Sequence, residues 1–260
     1  MQLIDTHTHL YMPEYAADSA PDAVTRAVDA GVVHMILPGV DVAAIEPMRA
    51  LHARYPRVTS MCMGLHPTEV KESWRDDLAA ILAEIDTHPS DYVAVGEIGM
   101  DLYWDKTFRE QQMQVLEAQL KVAVERGLPI NIHCREGLDE FLEVLDGLEV
   151  KPAGAFHSFG GDARDVERIR NRGDYYFGIN GIVTFKNSSL RHTLHDITPS
   201  RIILETDAPF LAPVPLRGKR NESAYMVHTA AFAANELGLP LEEFAGITTA
   251  NARQLFNLPS

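Results

Sequence analysis

Apolar and polar positions alternate along this chain at two scales. Continuous apolar runs, such as Val32-Val33-His34-Met35-Ile36-Leu37, read as strands buried on both faces. Between them lie stretches whose apolar residues recur at intervals of three and four, the stripe of a helix packed on one side. Strands are expected at residues 3–9, 32–38, 60–65, 92–99, 130–133, 154–157, 175–179 and 202–205. The first helix starts at Ser19, Pro21 and Asp22, carries Val24, Ala27 and Val28, and stops at Gly31. Asp41 caps the second, with Ile45, Met48 and Leu51 at helical spacing, and residues 74–85 form the third. Thr107 and Glu110 make a capping-box pattern ahead of the clearest helix, which shows Met113, Leu116, Leu120, Ala123 and Val124 on one face and ends at Gly127. Residues 138–145 follow, then a helix opened by Asp162 and stopped by Gly173, a weaker one at 188–195, and a helical stretch over 223–257 broken at Gly238-Leu239-Pro240.

Eight strand–helix alternations in a chain of 260 residues predict a single (β/α)8 barrel spanning 1–260. The other candidate is a doubly wound open sheet, but no glycine-rich phosphate fingerprint follows the first strand. A hydrophobic share of 46% is ample for one large core. A net charge of −14 excludes a basic nucleic-acid coat, so any polyanion must be met by a local basic patch or by bound cations. Cys62 and Cys134 form no metal-type pair and no disulfide framework, which points to reduced thiols and a cytoplasmic location. No apolar run is long enough to span a membrane, and no signal-peptide pattern opens the chain. No segment asks for an obligate protein partner.

The chemistry gathers at the strand ends. His7 and His9 lie two residues apart, on one face of a strand, with Cα atoms about 7 Å apart at a rise of ~3.3 Å per residue. If they ligate a cation, a cleaved leader would take them with it, so the mature chain is expected to begin at or near Met1. The later strands end in His66, Glu97, His133, His157, and Glu205 with Asp207. In a barrel these ends share one face. Each histidine alone would pass as a satisfied core residue. Together with the carboxylates they would repel or go unsatisfied without a cation.

The motifs Asp5-Thr6-His7-Thr8-His9, Gly64-Leu65-His66-Pro67, Gly96-Glu97-Ile98-Gly99-Met100-Asp101, His133-Cys134-Arg135, Phe156-His157-Ser158-Phe159 and Leu204-Glu205-Thr206-Asp207-Ala208-Pro209 occur in that order across the chain. With them the sequence resembles the TatD-type metal-dependent deoxyribonucleases, a branch of the amidohydrolase-like barrels. Thr68 departs from the pattern, since many members place another histidine there. The resemblance implies cleavage of DNA phosphodiester bonds, from the 3′ end of single strands, by water activated between two divalent cations. His7, His9, Glu97 and Asp207 would hold one ion, and Glu97, His133 and His157 the other, with Glu97 bridging. Strand sharing sorts the histidines the same way: His7 and His9 lie on one strand, His133 and His157 on neighbouring strands. Such a donor set suits Zn or Mn and tolerates Mg less readily. Asp207 is either ligand and general base or ligand alone. His66 and Glu205 form the outer shell, His66 at the phosphate or leaving group, Glu205 orienting water or a ligand imidazole.

Arg135 and the post-strand residues Arg217, Lys219 and Arg220 are the candidate phosphate contacts. Tyr103 and Trp104 either stack on a base or pack the following helix. Two other functions fit the barrel: a small-molecule hydrolase acting on an ester, amide or phosphoester, and a metal-binding protein without turnover. The cationic loop favours a polyanion over a neutral substrate, and the complete ligand set disfavours the non-enzyme.

Overall fold

The computed structural model describes residues 1–18 and 22–259. Its eight strands are β1 (Leu3–Asp5), β2 (Val32–Pro38), β3 (Thr59–Met63), β4 (Tyr92–Asp101), β5 (Ile130–Arg135), β6 (Gly154–Phe156), β7 (Tyr175–Ile179) and β8 (Ile202–Leu204). They lie in sequence order and every hydrogen-bonded pair is parallel. The crossover helices are α1 (Ala23–Asp29), α2 (Ile45–Arg54), α3 (Trp74–Thr87), α4 (Arg109–Arg126), α5 (Leu138–Asp146), α6 (Ala163–Arg170) and the short α7 (Leu190–Thr193). Two more, α8 (Met226–Glu236) and α9 (Leu241–Phe256), follow β8. This is the expected (β/α)8 barrel.

The ring closes just beyond the ends of β1 and β8, two of its three shortest strands. Thr6 N donates to Leu204 O at 3.1 Å, Asp207 N to His7 O at 2.9 Å and His9 N to Ala208 O at 2.8 Å. The Asp5 carboxylate, fully buried, reinforces the seam by accepting from Thr206 N at 3.0 Å and Thr206 Oγ1 at 2.6 Å. The segments carrying His7, His9 and Asp207 are therefore also the segments that shut the barrel.

Two apolar cores follow from strands buried on both faces. Outward side chains such as Met35, Leu37 and Phe177 share one large cluster with Leu116, Leu120 and Phe141 of the helices. Inside, Ile4, Ile36, Cys62, Ala94, Ala155, Tyr176 and Ile203 form a layer at the N-terminal end of the barrel. Ala252, Leu255 and Phe256 of α9 cover that layer and seal the base. Only the other end is left for a site.

Some local expectations are revised. Thr107 does not cap α4: its N–H donates to Asp105 Oδ1 at 2.8 Å, and the helix starts at Arg109 with no side-chain cap. The Asp105 turn takes the Thr107 N–H that the capping box would have used. Ser19 and Pro21 lie outside the described residues, and Asp22 caps α1 through Thr25 N at 3.0 Å. The weak helix at 188–195 is α-helical only over α7 and tightens into a 3-10 turn, Leu194–Asp196. Asp162 and Gly127 start and end helices as expected, whereas Asp41 caps the 3-10 turn Val42–Ala44 that leads into α2, and α2 itself has no side-chain cap. No helix among the described residues is long and apolar enough to cross a membrane.

Asp5→Ala is expected to lower stability by ~1–3 kcal/mol for each Thr206 donor left unpaired, read as a drop in the midpoint of urea unfolding. A midpoint equal to wild type would show that the seam does not depend on this carboxylate.

Candidate metal centre

Five imidazoles stand around one carboxylate at the open end. Glu97, in β4 and 3% exposed, points Oε2 at His7 Nε2 (3.2 Å) and His9 Nε2 (3.8 Å). Its Oε1 faces His133 Nδ1 (3.0 Å), His66 Nε2 (3.2 Å) and His157 Nε2 (3.8 Å). Asp207 closes the group from across the seam, with Oδ1 3.5 Å from His9 Nε2 and Oδ2 3.9 Å from His157 Nε2. Its φ of 56° is unusual for a side-chain-bearing residue, and the Asp207 N to His7 O bond helps hold it there. Gly99 makes the approach of β4 and β5 possible: at its φ of +152° a Cβ would fall 1.7 Å from His133 O. Gly178 leaves room for Glu205, whose Oε2 a Cβ would meet at 2.2 Å.

The outer nitrogens fix which face of each ring carries a lone pair. Asn131 Nδ2 donates to Thr6 O at 3.2 Å, so its Oδ1 accepts from His7 Nδ1 at 2.9 Å. Tyr11 donates its hydroxyl proton to Pro38 O at 2.5 Å and accepts from His9 Nδ1 at 3.0 Å. Both Nε2 lone pairs therefore face inward, 3.1 Å apart, where neither can donate to the other. A shared cation resolves that conflict, and the imidazole–carboxylate donors are of the kind that divalent metals take. His133 Nε2 meets Asp101 Oδ2 at 2.9 Å, leaving Nδ1 toward Glu97. His157 Nδ1 lies 3.0 Å from Glu205 Oε1, off the direction of a hydrogen bond but within ion-pair range. Glu205 is held in turn by Ser158 N at 2.6 Å.

His66 is the exception. Its Nδ1 accepts from Thr68 N at 3.1 Å, so in the neutral ring the proton is on Nε2, aimed at Glu97 Oε1. Ligand atoms within 4.8 Å of one another occur in the groups His7–His9–Asp207, His7–His157–Glu205 and His66–Glu97–His133. The first holds three of the four residues expected around one ion, without Glu97. The third brings His66 into the place expected for His157, but the tautomer makes His66 a donor there.

Burial alone would raise Glu97, yet His66, His7 and His133 outweigh it and hold the carboxyl well below its usual range. Burial is likewise outweighed at Asp207, chiefly by His157 and His9. Burial and the neighbouring His157 push His7 down. Burial would also lower His157, but Glu205 and Asp207 push it up to about 10. The two rings stack, centroids 3.5 Å apart.

Above this floor opens a cavity of about 1040 Å³, with Glu69, Glu136 and Asp165 on its walls. Arg135 is the only Arg or Lys among the described residues that line it. Its guanidinium lies 3.6 Å from the Tyr103 ring centre and 5.3 Å from that of Trp104, and no carboxylate among the described residues pairs with it. Trp104 is 70% exposed at the rim. The loop cations separate from the site. Arg217 rests over Phe185 and Lys219 is exposed, neither lining the cavity. Arg220 pairs with Asp18 at 2.8 Å and Glu222 at 3.2 Å, tying its loop to the N-terminal segment.

The family model for TatD-related DNases matches residues 4–257. The chain belongs to that family. Among its relatives, the metal-dependent hydrolase YabD of Bacillus subtilis is 35% identical over 259 residues, 98% of this chain and 99% of its own length. The 3′-5′ ssDNA/RNA exonuclease TatD of Salmonella typhimurium is 33% identical over 263 residues, covering 98% of this chain and 99% of its own. The crystal structure of YjjV, a TatD homologue from Escherichia coli K12, superposes with a TM-score of 0.90 at 29% identity, over 99% of this chain and 98% of that one.

Within this TatD site, sequence reasoning gave no role to Asp101, Asn131 or Tyr11, which hold the outer nitrogens. It also passed over Gln112 and Gln119, seven apart on α4 and both buried. Gln119 Oε1 accepts from Leu65 N at 2.7 Å and Gln112 Oε1 from Asp101 N at 2.9 Å, fixing the chain at His66 and Asp101. Buried glutamines at that spacing on an otherwise apolar face were the available signal.

In chelator-treated protein, the raised pKa of His157 gives a signed expectation. A native value near 10 against 6.5 for the free side chain stabilises the fold below pH 6.5, and this is lost as pH rises through 10. The melting temperature of the metal-free protein should therefore fall over that window, and His157→Gln should flatten the fall. An identical slope in the variant would reject the assignment.

Proposed function

We propose that this chain is a metal-dependent phosphodiesterase that removes nucleotides from the 3′ ends of single-stranded DNA, in the cytoplasm, with two divalent cations at the barrel mouth. The observation that carries this reading is the division of Glu97, one oxygen toward His7 and His9, the other toward His133 and His157. His7, His9, Glu97 and Asp207 would hold one ion. Glu97, His133 through Nδ1 and His157 through Nε2 would hold the other. Zn and Mn suit this set better than Mg. When bound, such ions supply Lewis acidity, lowering the pKa of water and offsetting charge on a phosphoryl group.

The residues divide the remaining work. Asp207 has 14% of its side chain exposed, against 3% for Glu97 and 1% for Glu205, so it is the floor carboxylate best placed to take a proton from water. His66 offers an Nε2 proton to the scissile phosphate or the leaving oxygen. Glu205 keeps His157 in place. Arg135, with no carboxylate partner among the described residues and braced on two aromatic rings, binds a phosphate at the rim, and Trp104 gives a base a face to stack on. Arg217 and Lys219 meet the strand only farther from the cut, and Arg220 acts through the loop it anchors. Unpaired Cys62 and Cys134 suit a reducing compartment. The names of the TatD relatives support a nucleic-acid substrate. The acidic walls support a second reading, a small phosphoester substrate, because they repel a long polyanion.

With Mn or Zn, the protein should bind close to two ions per chain and release mononucleotides from a 5′-labelled single strand. Glu97→Gln should lose at least one ion and on the order of a thousandfold in turnover. Saturation of the wild type at one ion, or two ions and normal turnover in the variant, would sink the bridging role. Cleavage of bis-p-nitrophenyl phosphate with no cleavage of DNA would favour the small-substrate reading.

Arg135→Ala should weaken DNA hydrolysis, chiefly through KM, while sparing the small diester, and should reduce the salt dependence. Arg220→Ala should change both substrates alike. Equal loss on both substrates for Arg135→Ala would show that Arg135 supports the floor and does not read the strand.

A further inference from the structure

Asp101 ends β4, its side chain only 1% exposed, and its two oxygens serve different customers. Oδ1 accepts from Tyr103 N at 3.0 Å and Trp104 N at 3.2 Å, shaping the turn that carries the aromatic rim. Oδ2 meets His133 Nε2 at 2.9 Å. The main chain is gripped on both sides by one buried amide: Asp101 N donates to Gln112 Oε1 at 2.9 Å, and Gln112 Nε2 donates to Asp101 O at 3.0 Å. Pairing with β5 sets Asp101 opposite Arg135 and Gly99 opposite His133. The carboxylate thus sits between the His133 ring and the rim that braces Arg135.

A turn alone does not need a carboxylate. Asparagine would offer the same Oδ1 to Tyr103 N and Trp104 N. Only Oδ2 distinguishes the two, and it faces His133. An ionised carboxylate can only accept, so it requires the proton on His133 Nε2 and leaves the Nδ1 lone pair toward Glu97, 3.0 Å away. An amide nitrogen in that place would donate, demand the lone pair on Nε2, and put the proton on the face that a cation needs.

We propose that Asp101 is a positioning residue that sets the ring face of His133 for metal binding through Nδ1 and, with its other oxygen, fixes the Tyr103–Trp104 turn beneath Arg135. This rests on the assignment of His133 as a ligand. It makes one buried side chain the joint between the cation site and the rim that meets substrate.

Two measurements test it. In zinc-loaded protein with 15N-labelled histidine, long-range proton–nitrogen correlations should place the His133 proton on Nε2 and none on Nδ1. A proton on Nδ1 overturns the proposal, and this arm needs no variant. Zinc titration of Asp101→Asn should show one site roughly ten- to a hundredfold weaker, with an unchanged far-ultraviolet spectrum. In a His133→Ala background the same substitution should have no further effect on zinc affinity. Wild-type zinc affinity in Asp101→Asn, or an equal loss in the His133→Ala background, overturns it while leaving His133 a ligand. Zinc affinity unchanged by His133→Ala alone would instead remove the ligand assignment, and the proposal with it.

Discussion

A negative charge buried at the mouth of a barrel must be answered from every side, and Glu97 sets that requirement for this protein. Five imidazole nitrogens lie within 3.8 Å of its oxygens. Each ring must present the right nitrogen, so each needs a specific neighbour behind it: Asn131, Tyr11, Thr68, Asp101 and Glu205. Those neighbours are fixed in their turn by backbone groups, from Pro38 O to Ser158 N. The arrangement is a buried polar network in which almost every member is satisfied, the condition under which such networks specify a single geometry. The imidazole lone pairs that point inward are what remains for a cation.

Most of the architecture was legible in the sequence because the signals were local. A run of apolar residues, a glycine stop and a histidine at the strand end each need only neighbours in the chain. His7, His9, Glu97, His133, His157 and Asp207 were found because a barrel brings all strand ends to one face, whatever the details of packing. Asp101 and Asn131 were passed over because their roles depend on strand register and on distances across the barrel. Arg220 misled in the opposite direction. Its neighbours Arg217 and Lys219 made a basic cluster, while its partner Asp18 lies 202 positions away. Thr107 failed as a cap for a similar reason, since Asp105 two residues earlier had already turned the chain.

Floor and rim are built from different parts of the chain. The floor comes from strand ends locked by closure of the barrel, where Asp5 and the backbone of Thr6, His7 and His9 meet the segment after β8. The rim comes from the turn after β4, from Arg135 and from the loop at Phe210, which is half exposed. Changes at the rim can retune what is admitted without disturbing the ligands. Changes at the seam cannot be separated from the fold.

The layer of Ile4, Ile36, Cys62, Ala94, Ala155, Tyr176 and Ile203, covered by α9, gives the cavity a closed bottom. A polymer cannot thread through such a vessel. It can present an end, and whatever is cut off must leave by the door through which the chain came in. On the proposed substrate, a shortened strand would slide inward by one unit while the detached piece passed outward beside it. Under that proposal, the traffic at a single entrance, and not only the bond-breaking below, would set how many units are removed before the strand lets go.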